Sequence, residues 1–262
     1  MKERAFVIGD IHGMDEALSL LLEKWDPNHE SLIFLGDLID RGPQIKAVLE
    51  RVWELEDKYH SQVQVLMGNH EAMLLEYLQD PQQYSPRYFR NGGTSTLASL
   101  TSMSLEQIQG KSHQATIAIL LKAYPNLKRW LEKRPVYLEF GPWLMVHAGV
   151  DGSLEDWTRT EISRFYWIRE DFYGQNNKSN KQIIFGHTPT SHLLTNEEDW
   201  LRPWHNDNRY GIDGGAVYGG VLMGMHIDIK GQILGIDRID TKANQALDSL
   251  PTIDWQDTLP IV

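Results

Sequence analysis

Five short apolar runs in this chain each stop at a glycine-bearing turn that carries a polar or charged side chain. Residues 5–8 run into Gly9-Asp10, 31–35 into Gly36-Asp37, and 63–67 into Gly68-Asn69. Residues 143–146 run into His147-Ala148-Gly149, and 183–185 into Gly186-His187. Runs this short, rich in Val, Ile and Phe, read as buried strands. Helical patterns separate the first three. Residues 14–25 carry Ala17, Leu18, Leu21 and Leu22 at helical spacing, and 43–59 open on Pro43 and place Ile45, Val48, Leu49, Val52 and Leu55 on one face. Strands alternating with helices predict a largely parallel sheet covered by helices. In such sheets ligands sit beyond the C-terminal ends of the strands, where these polar turns fall.

The rest of the chain reads differently. Residues 71–134 are mainly helical, with helices at 111–124 and 125–133 and loops at 80–86 and 91–93. This segment is either an insertion that shapes the mouth of a site or a set of plain core helices. Beyond Arg209, strands are expected at 210–213, 221–229 and 232–238, with a hairpin turn at Lys230-Gly231. The tail from 246 to 262 has little periodicity. With no linker or repeat in view, residues 1–262 are read as a single domain.

Composition narrows the chemistry. The 262 residues include no cysteine, which excludes disulfides, thiolate metal sites and a cysteine nucleophile. Lys plus Arg total 25 against 36 Asp plus Glu, a net charge of -11, so non-specific nucleic-acid binding is not expected. No window approaches the ~20 apolar residues of a membrane span. The first apolar stretch is too short for a secretory leader and ends in Gly9-Asp10, so a cytoplasmic location is expected.

The donors at the strand ends suit metal ions. Asp10 and His12 lie two residues apart, so an extended backbone turns both the same way. Asp37, Asn69, His147 and His187 close four other runs. Carboxylate, imidazole and amide oxygen together suit borderline divalent cations: Mn, Fe, Zn, Ni or Co. Six donors exceed one tetrahedral site and fit two ions if one carboxylate bridges. Asp37 is the natural bridge, with Asp10 and His12 completing one ion and Asn69, His147 and His187 the other. A lone Asp after a strand is usually a cap, and a lone buried His a satisfied core residue. That explanation fails when five strand ends carry such residues at once.

Around these donors lie groups with other uses. His70 follows Asn69, and Asp40 lies three residues beyond Asp37. A carboxylate that orients an imidazole sets it up to protonate a leaving group. Arg41 offers a planar fork to a tetrahedral oxyanion. Arg169 is a second candidate clamp, although position alone favours a surface pair with Glu170 or Asp171. Either of His192 and His205 is a candidate substrate contact. A dinucleotide loop, a P-loop, a Gly-x-Ser-x-Gly elbow and a His-Glu-x-x-His zinc motif are all missing.

Taken together, Gly9-Asp10-Ile11-His12-Gly13, Gly36-Asp37-Leu38-Ile39-Asp40-Arg41-Gly42, Gly68-Asn69-His70-Glu71, Val146-His147-Ala148-Gly149 and Gly186-His187-Thr188-Pro189 resemble the calcineurin-like metallophosphoesterase superfamily. The second and third motifs look like its phosphoprotein phosphatase branch. The chain is similar to the lambda-type serine/threonine phosphatases and to the diadenosine tetraphosphate hydrolases, over about 6–220. The resemblance implies an α/β fold, a four-layer sandwich of two mixed β-sheets flanked by helices, with a helical insertion after the third strand. It implies two divalent ions, manganese first, on Asp10, His12, Asp37, Asn69, His147 and His187. It also implies a catalytic pair in His70 and Asp40 and phosphate binding by Arg41 and Arg169; for Arg169 it reverses the positional expectation. The implied reaction is phosphomonoester hydrolysis by in-line attack of a metal-activated water, on phosphoserine or phosphothreonine in proteins. The alternative is a dinucleoside polyphosphate or a related nucleotide or RNA end. A catalytically silent metal-binding module is the rival class, and an intact His70, Asp40 and Arg41 argue against it. One departure stands out: the family's late Asp-Thr-Gly-Ala reads Asp213-Gly214-Gly215-Ala216 here.

Overall fold

In the computed structural model, which describes residues 2–194 and 201–248, the chain builds two sheets in sequence. Strands β1 (Arg4–Ile8), β2 (Glu30–Phe34) and β3 (Val63–Val65) pair in parallel. Their crossovers are α1 (Asp15–Leu22) and α2 (Ile45–Tyr59). A helical stretch follows: α3 (Asn69–Gln79), α4 (Pro81–Arg90), α5 (Gly93–Thr101), α6 (Leu105–Gln109), α7 (His113–Ala123) and α8 (Leu127–Glu132). The second sheet comprises β4 (Tyr137–Phe140), β5 (Trp143–Val146), β6 (Gln182–Phe185), β7 (Trp204–Asn206) and β8 (Arg209–Gly211). Two short helices belong to this half, α9 (Glu170–Tyr173) and α10 (Thr190–Leu193). The chain then returns to the first sheet as β9 (Val221–Asp228), β10 (Ile233–Asp240) and β11 (Gln245–Ala246). Strand orders are β11-β10-β9-β1-β2-β3 and β4-β5-β6-β8-β7.

Both sheets are mixed, because β9 runs antiparallel to β1 and β4 antiparallel to β5. Period-two alternation divides the core into three layers. Ala5, Val7 and Ile33 face Trp143, Met145, Ile184 and Tyr210 between the sheets. Phe6, Ile8, Leu32 and Phe34 face outward, against α1, α2 and the helical stretch. Leu144, Val146, Ile183 and Phe185 pack under Trp157, Phe165 and Phe172. The outer face of the second sheet is covered by α9, short helical turns and irregular chain.

Two local expectations need correction. Residues 80–86, expected as a loop, form the N-cap and first turns of α4. Asp80 caps the helix by accepting from the Gln83 amide, and Pro81 occupies the first turn, where no N–H partner is needed. The expected strand at 210–213 is shorter and shifted, as β8. The hairpin at Lys230-Gly231 forms, with Gly231 at φ +93 and Asp228 accepting from the Lys230 amide. The tail expectation for 246–262 falls mostly outside the described residues. Among the described residues, no helix is long and apolar enough to cross a membrane.

Candidate active site

The C-terminal ends of β1, β2, β3, β5 and β6 converge, and their turns pack against one another. Gly68 and Gly186 permit close approaches: a Cβ on Gly68 would strike the Asp37 carboxylate, and one on Gly186 the Asp10 carboxylate. The backbone is bent hard here. His12, Asp37, Asp40, Arg41 and His187 all hold positive φ, between 46 and 69 degrees. Non-glycine residues rarely adopt this region, and such strain gathers at functional sites because packing elsewhere enforces it.

Two clusters of ligand-type atoms share Asp37. His12, Asp37 and His70 form one and Asp37, His147 and His187 the other, with the ligand atoms of each within 4.8 Å of one another. Asp37 Oδ2 lies 3.4 Å from His12 Nε2, and its Oδ1 lies 3.5 Å from His147 Nε2. Each ring is oriented by a backbone carbonyl. His12 Nδ1 donates to Ile39 at 2.7 Å and His147 Nδ1 to Leu35 at 2.9 Å, which turns both Nε2 atoms inward. Asn69 Oδ1 sits 2.9 Å from His147 Nε2 and 2.8 Å from His187 Nδ1. Asp10 stands beside the clusters rather than in them, both its oxygens accepting from the His187 amide at 3.1 Å.

These contacts test whether metal ions fit. His147 is neutral, since burial lowers its pKa; with Nδ1 donating to Leu35, its Nε2 is an acceptor facing the acceptor oxygen of Asn69. His187 Nε2 is buried without any hydrogen-bond partner. Burial, together with Asp213 and Asp37, pushes the Asp10 carboxyl well up. Burial and Asp37 push Glu71 up to about 7, and burial pushes Asp213 up to about 6. Converging lone pairs and crowded carboxylates need positive charge, and divalent cations supply it.

The His70–Asp40 pair is fully buried. His70 Nδ1 donates to Asp40 Oδ2 at 2.6 Å, leaving Nε2 3.9 Å from Asp37 Oδ2. Burial alone would lower the His70 pKa, but Asp37 and then Asp40 outweigh it and hold it raised. Asp40 Oδ1 accepts from Thr96 on α5 and from Tyr88 on α4, so the helical stretch both packs the core and builds a wall of the site. Arg41 Nη1 donates to His12 Nε2 at 2.6 Å. Arg169 does not pair with Glu170 or Asp171. Its guanidinium donates to Thr188 Oγ1 at 3.1 Å and to the His187 carbonyl at 3.3 Å, while Arg164 takes Asp171.

Some residues fall outside both clusters or escape the sequence reading. His192 is exposed on α10, and His205 stacks on Tyr210 in the second sheet; neither enters a cluster. Glu71 is fully buried and accepts from the amides of Asp37 at 2.7 Å, Leu38 at 2.9 Å and Gly68 at 3.2 Å, so one carboxylate ties the β2 and β3 turns together. Its place directly after His70 is the signal that could have found it. Asp213, two residues past β8, adds a further buried carboxylate. Gly214 also has a reason: a Cβ there would strike the Val221 carbonyl, so a threonine has no room.

The sequence matches the family model for calcineurin-like phosphoesterase over residues 4–220. It is 27% identical over 242 residues to the asymmetrical bis(5'-nucleosyl)-tetraphosphatase PrpE of Anoxybacillus flavithermus, covering 82% of this chain and 87% of that protein. It is 29% identical over 222 residues to serine/threonine-protein phosphatase 1 of Salmonella typhimurium, covering 83% and 88%. Among solved structures, one provisionally titled a diadenosine tetraphosphatase superposes with a TM-score of 0.58 at 17% identity, covering 97% of this chain and 96% of that one.

Proposed function

The chain belongs to the calcineurin-like phosphoesterase family, and on that premise we propose that it hydrolyses phosphoesters with two divalent ions, manganese first among the candidates. The observation that carries the reading is the Asp37 carboxylate, whose two oxygens face two separate imidazole clusters. Asp10, His12 and Asp37 would hold one ion, and Asp37, Asn69, His147 and His187 the other. Such ions, when bound, supply a water nucleophile at neutral pH and offset charge on the equatorial oxygens. Glu71 fixes the Asp37 and Asn69 turns that present the bridge. Arg169 reaches out from the His187 carbonyl to a non-bridging oxygen. Arg41 lies along the His12 lone pair, and a cation there would turn its fork toward the phosphoryl group. His70, charged and aligned by Asp40, holds a proton at Nε2 for the leaving oxygen.

Two substrate classes fit this chemistry. Phosphoserine or phosphothreonine in proteins is the first reading, and the alkoxide such a substrate releases is what His70 is placed to protonate. Dinucleoside polyphosphates are the second, favoured by a further guanidinium close to the site: Arg87 lies over the Trp167 ring, which meets the His187 ring edge-on. Metal analysis after manganese reconstitution, with parallel assays on a phosphopeptide and diadenosine tetraphosphate, tests both levels. Less than one ion per chain and no turnover of either would sink the two-metal reading. A hundredfold preference for one substrate decides the class.

A further inference from the structure

We propose that Arg87, resting on the Trp167 ring, forms a second anion subsite of this site, one that takes a phosphate further along an anhydride-linked polyphosphate chain. The inference rests on the two-metal phosphoesterase reading and chooses between its substrate classes. Arg87 lies in the last turn of α4, its guanidinium carbon 4.3 Å from the Trp167 ring centroid. Trp167 in turn meets the His187 ring edge-on, with centroids 5.8 Å apart. A single indole therefore separates this guanidinium from a metal-site imidazole, a span on the scale of a short polyphosphate extending from the scissile phosphoryl group.

The end of α4 is tied to the other side of the mouth as well. The turn after it packs on the phosphate-facing loop, where a Cβ on Gly92 would fall 2.9 Å from Arg41 Cγ. Arg87 is incompletely used by the protein. Its acidic partner Glu76 lies at 3.5 Å, the Glu76 Oε2 involved makes no hydrogen bond, and the two side chains are 43% and 30% exposed. Among the described residues, Arg87 makes no side-chain hydrogen bond, and beyond the Nη1 that faces Glu76 its donors remain open to an oxyanion. Stacking on indole holds the guanidinium plane without consuming its donors. Arg41 and Arg169 already serve the phosphoryl group under attack. A third guanidinium at the same mouth, in a chain of net charge -11, is more than one phosphate needs. An ordinary staple between α4 and Trp167 would place Arg87 similarly, and the test separates the two roles.

Arg87→Met keeps a long apolar stem on the indole and removes the charge and the fork. Inorganic tripolyphosphate and orthophosphate are compared as inhibitors of nitrophenyl phosphate hydrolysis in a fixed excess of manganese. Equilibrium dialysis of both anions is run on the same manganese-loaded proteins. Wild type should prefer tripolyphosphate by about tenfold or more, the worth of one charge-assisted contact. Arg87→Met should bring the two anions within about threefold of each other, with orthophosphate affinity and the melting temperature unchanged. Arg87→Lys, a point charge without the fork, should fall between them. Equal affinity for the two anions in wild type, or a preference that survives in Arg87→Met, would overturn the subsite. A wild type that binds manganese but turns nothing over would sink the hydrolase reading alone, and the dialysis ratio would still decide Arg87.

Discussion

Replacing His226 with glutamine removes an imidazolium held between two carboxylates on β9, the strand beside β1. Its Nδ1 lies 2.7 Å from Glu30 and its Nε2 3.0 Å from Asp237, and the ring stacks on Phe6 at 4.1 Å. Burial by itself would lower the pKa. The hydrogen bonds to Asp237 and Glu30 outweigh it and push the group from 6.5 up to about 9. At 1.36 kcal/mol per unit, that shift corresponds to about 3 kcal/mol of stabilisation, an upper figure because the carboxylates relax when the proton leaves. The folded-state pKa is the higher one. The stabilisation is therefore present in full below pH 6.5 and is lost as pH rises through about 9. The assay is urea denaturation of wild type and His226→Gln at pH 6 and pH 9.5, with chelator present so that metal binding does not enter. The stability difference between the proteins should shrink by about 2–3 kcal/mol at the higher pH. With a urea slope of about 3 kcal/mol/M, this is close to 1 M in midpoint. A difference that stays flat, or widens as pH rises, would refute the charged bridge and leave His226 as a neutral packing residue.

Three further outcomes follow from the site. His70→Ala should lose about 10²–10⁴-fold more kcat on a phosphoserine peptide than on nitrophenyl phosphate while keeping its metal, because only the alkoxide needs a proton; equal losses would rule out leaving-group protonation. Glu71→Gln should weaken manganese binding by about 10–100-fold, since an amide nitrogen would face backbone donors that now meet a carboxylate. Its kcat should recover at high manganese, and an unchanged affinity by calorimetry would deny Glu71 this positioning role. Thr96→Val deletes one of the donors to Asp40 Oδ1 and the acceptor for the Asp40 amide. It should lower turnover on alkyl phosphates about tenfold with metal content unchanged, at a stability cost of about 1–3 kcal/mol.

Side-chain chemistry is local information, and here the strand ends display it. Buried strands are short apolar runs, their turns need glycine, and the donors sit directly after them, so Asp10, Asp37, Asn69, His147 and His187 could be picked from the sequence as a set. Even Asp40 and His70, thirty residues apart, could be paired by asking what would orient the imidazole. Residues 80–86, expected as a loop, are helical because Asp80 caps α4 and Pro81 fits its first turn, an arrangement that the residue types alone do not distinguish from a turn. Other features are invisible in one dimension. Arg169 stands beside two acids in sequence yet turns to Thr188 and the His187 carbonyl. Glu71 reaches back 34 residues to the Asp37 amide, and the His187 amide meets Asp10 across 177. Thr96 and Tyr88 surround Asp40, and Arg87 lies on Trp167, because the helical stretch packs against the mouth. Residue types can propose which groups belong together. Which acceptor each donor finds, and which backbones are forced to positive φ, depends on two sheets meeting face to face and bringing distant turns within hydrogen-bond reach.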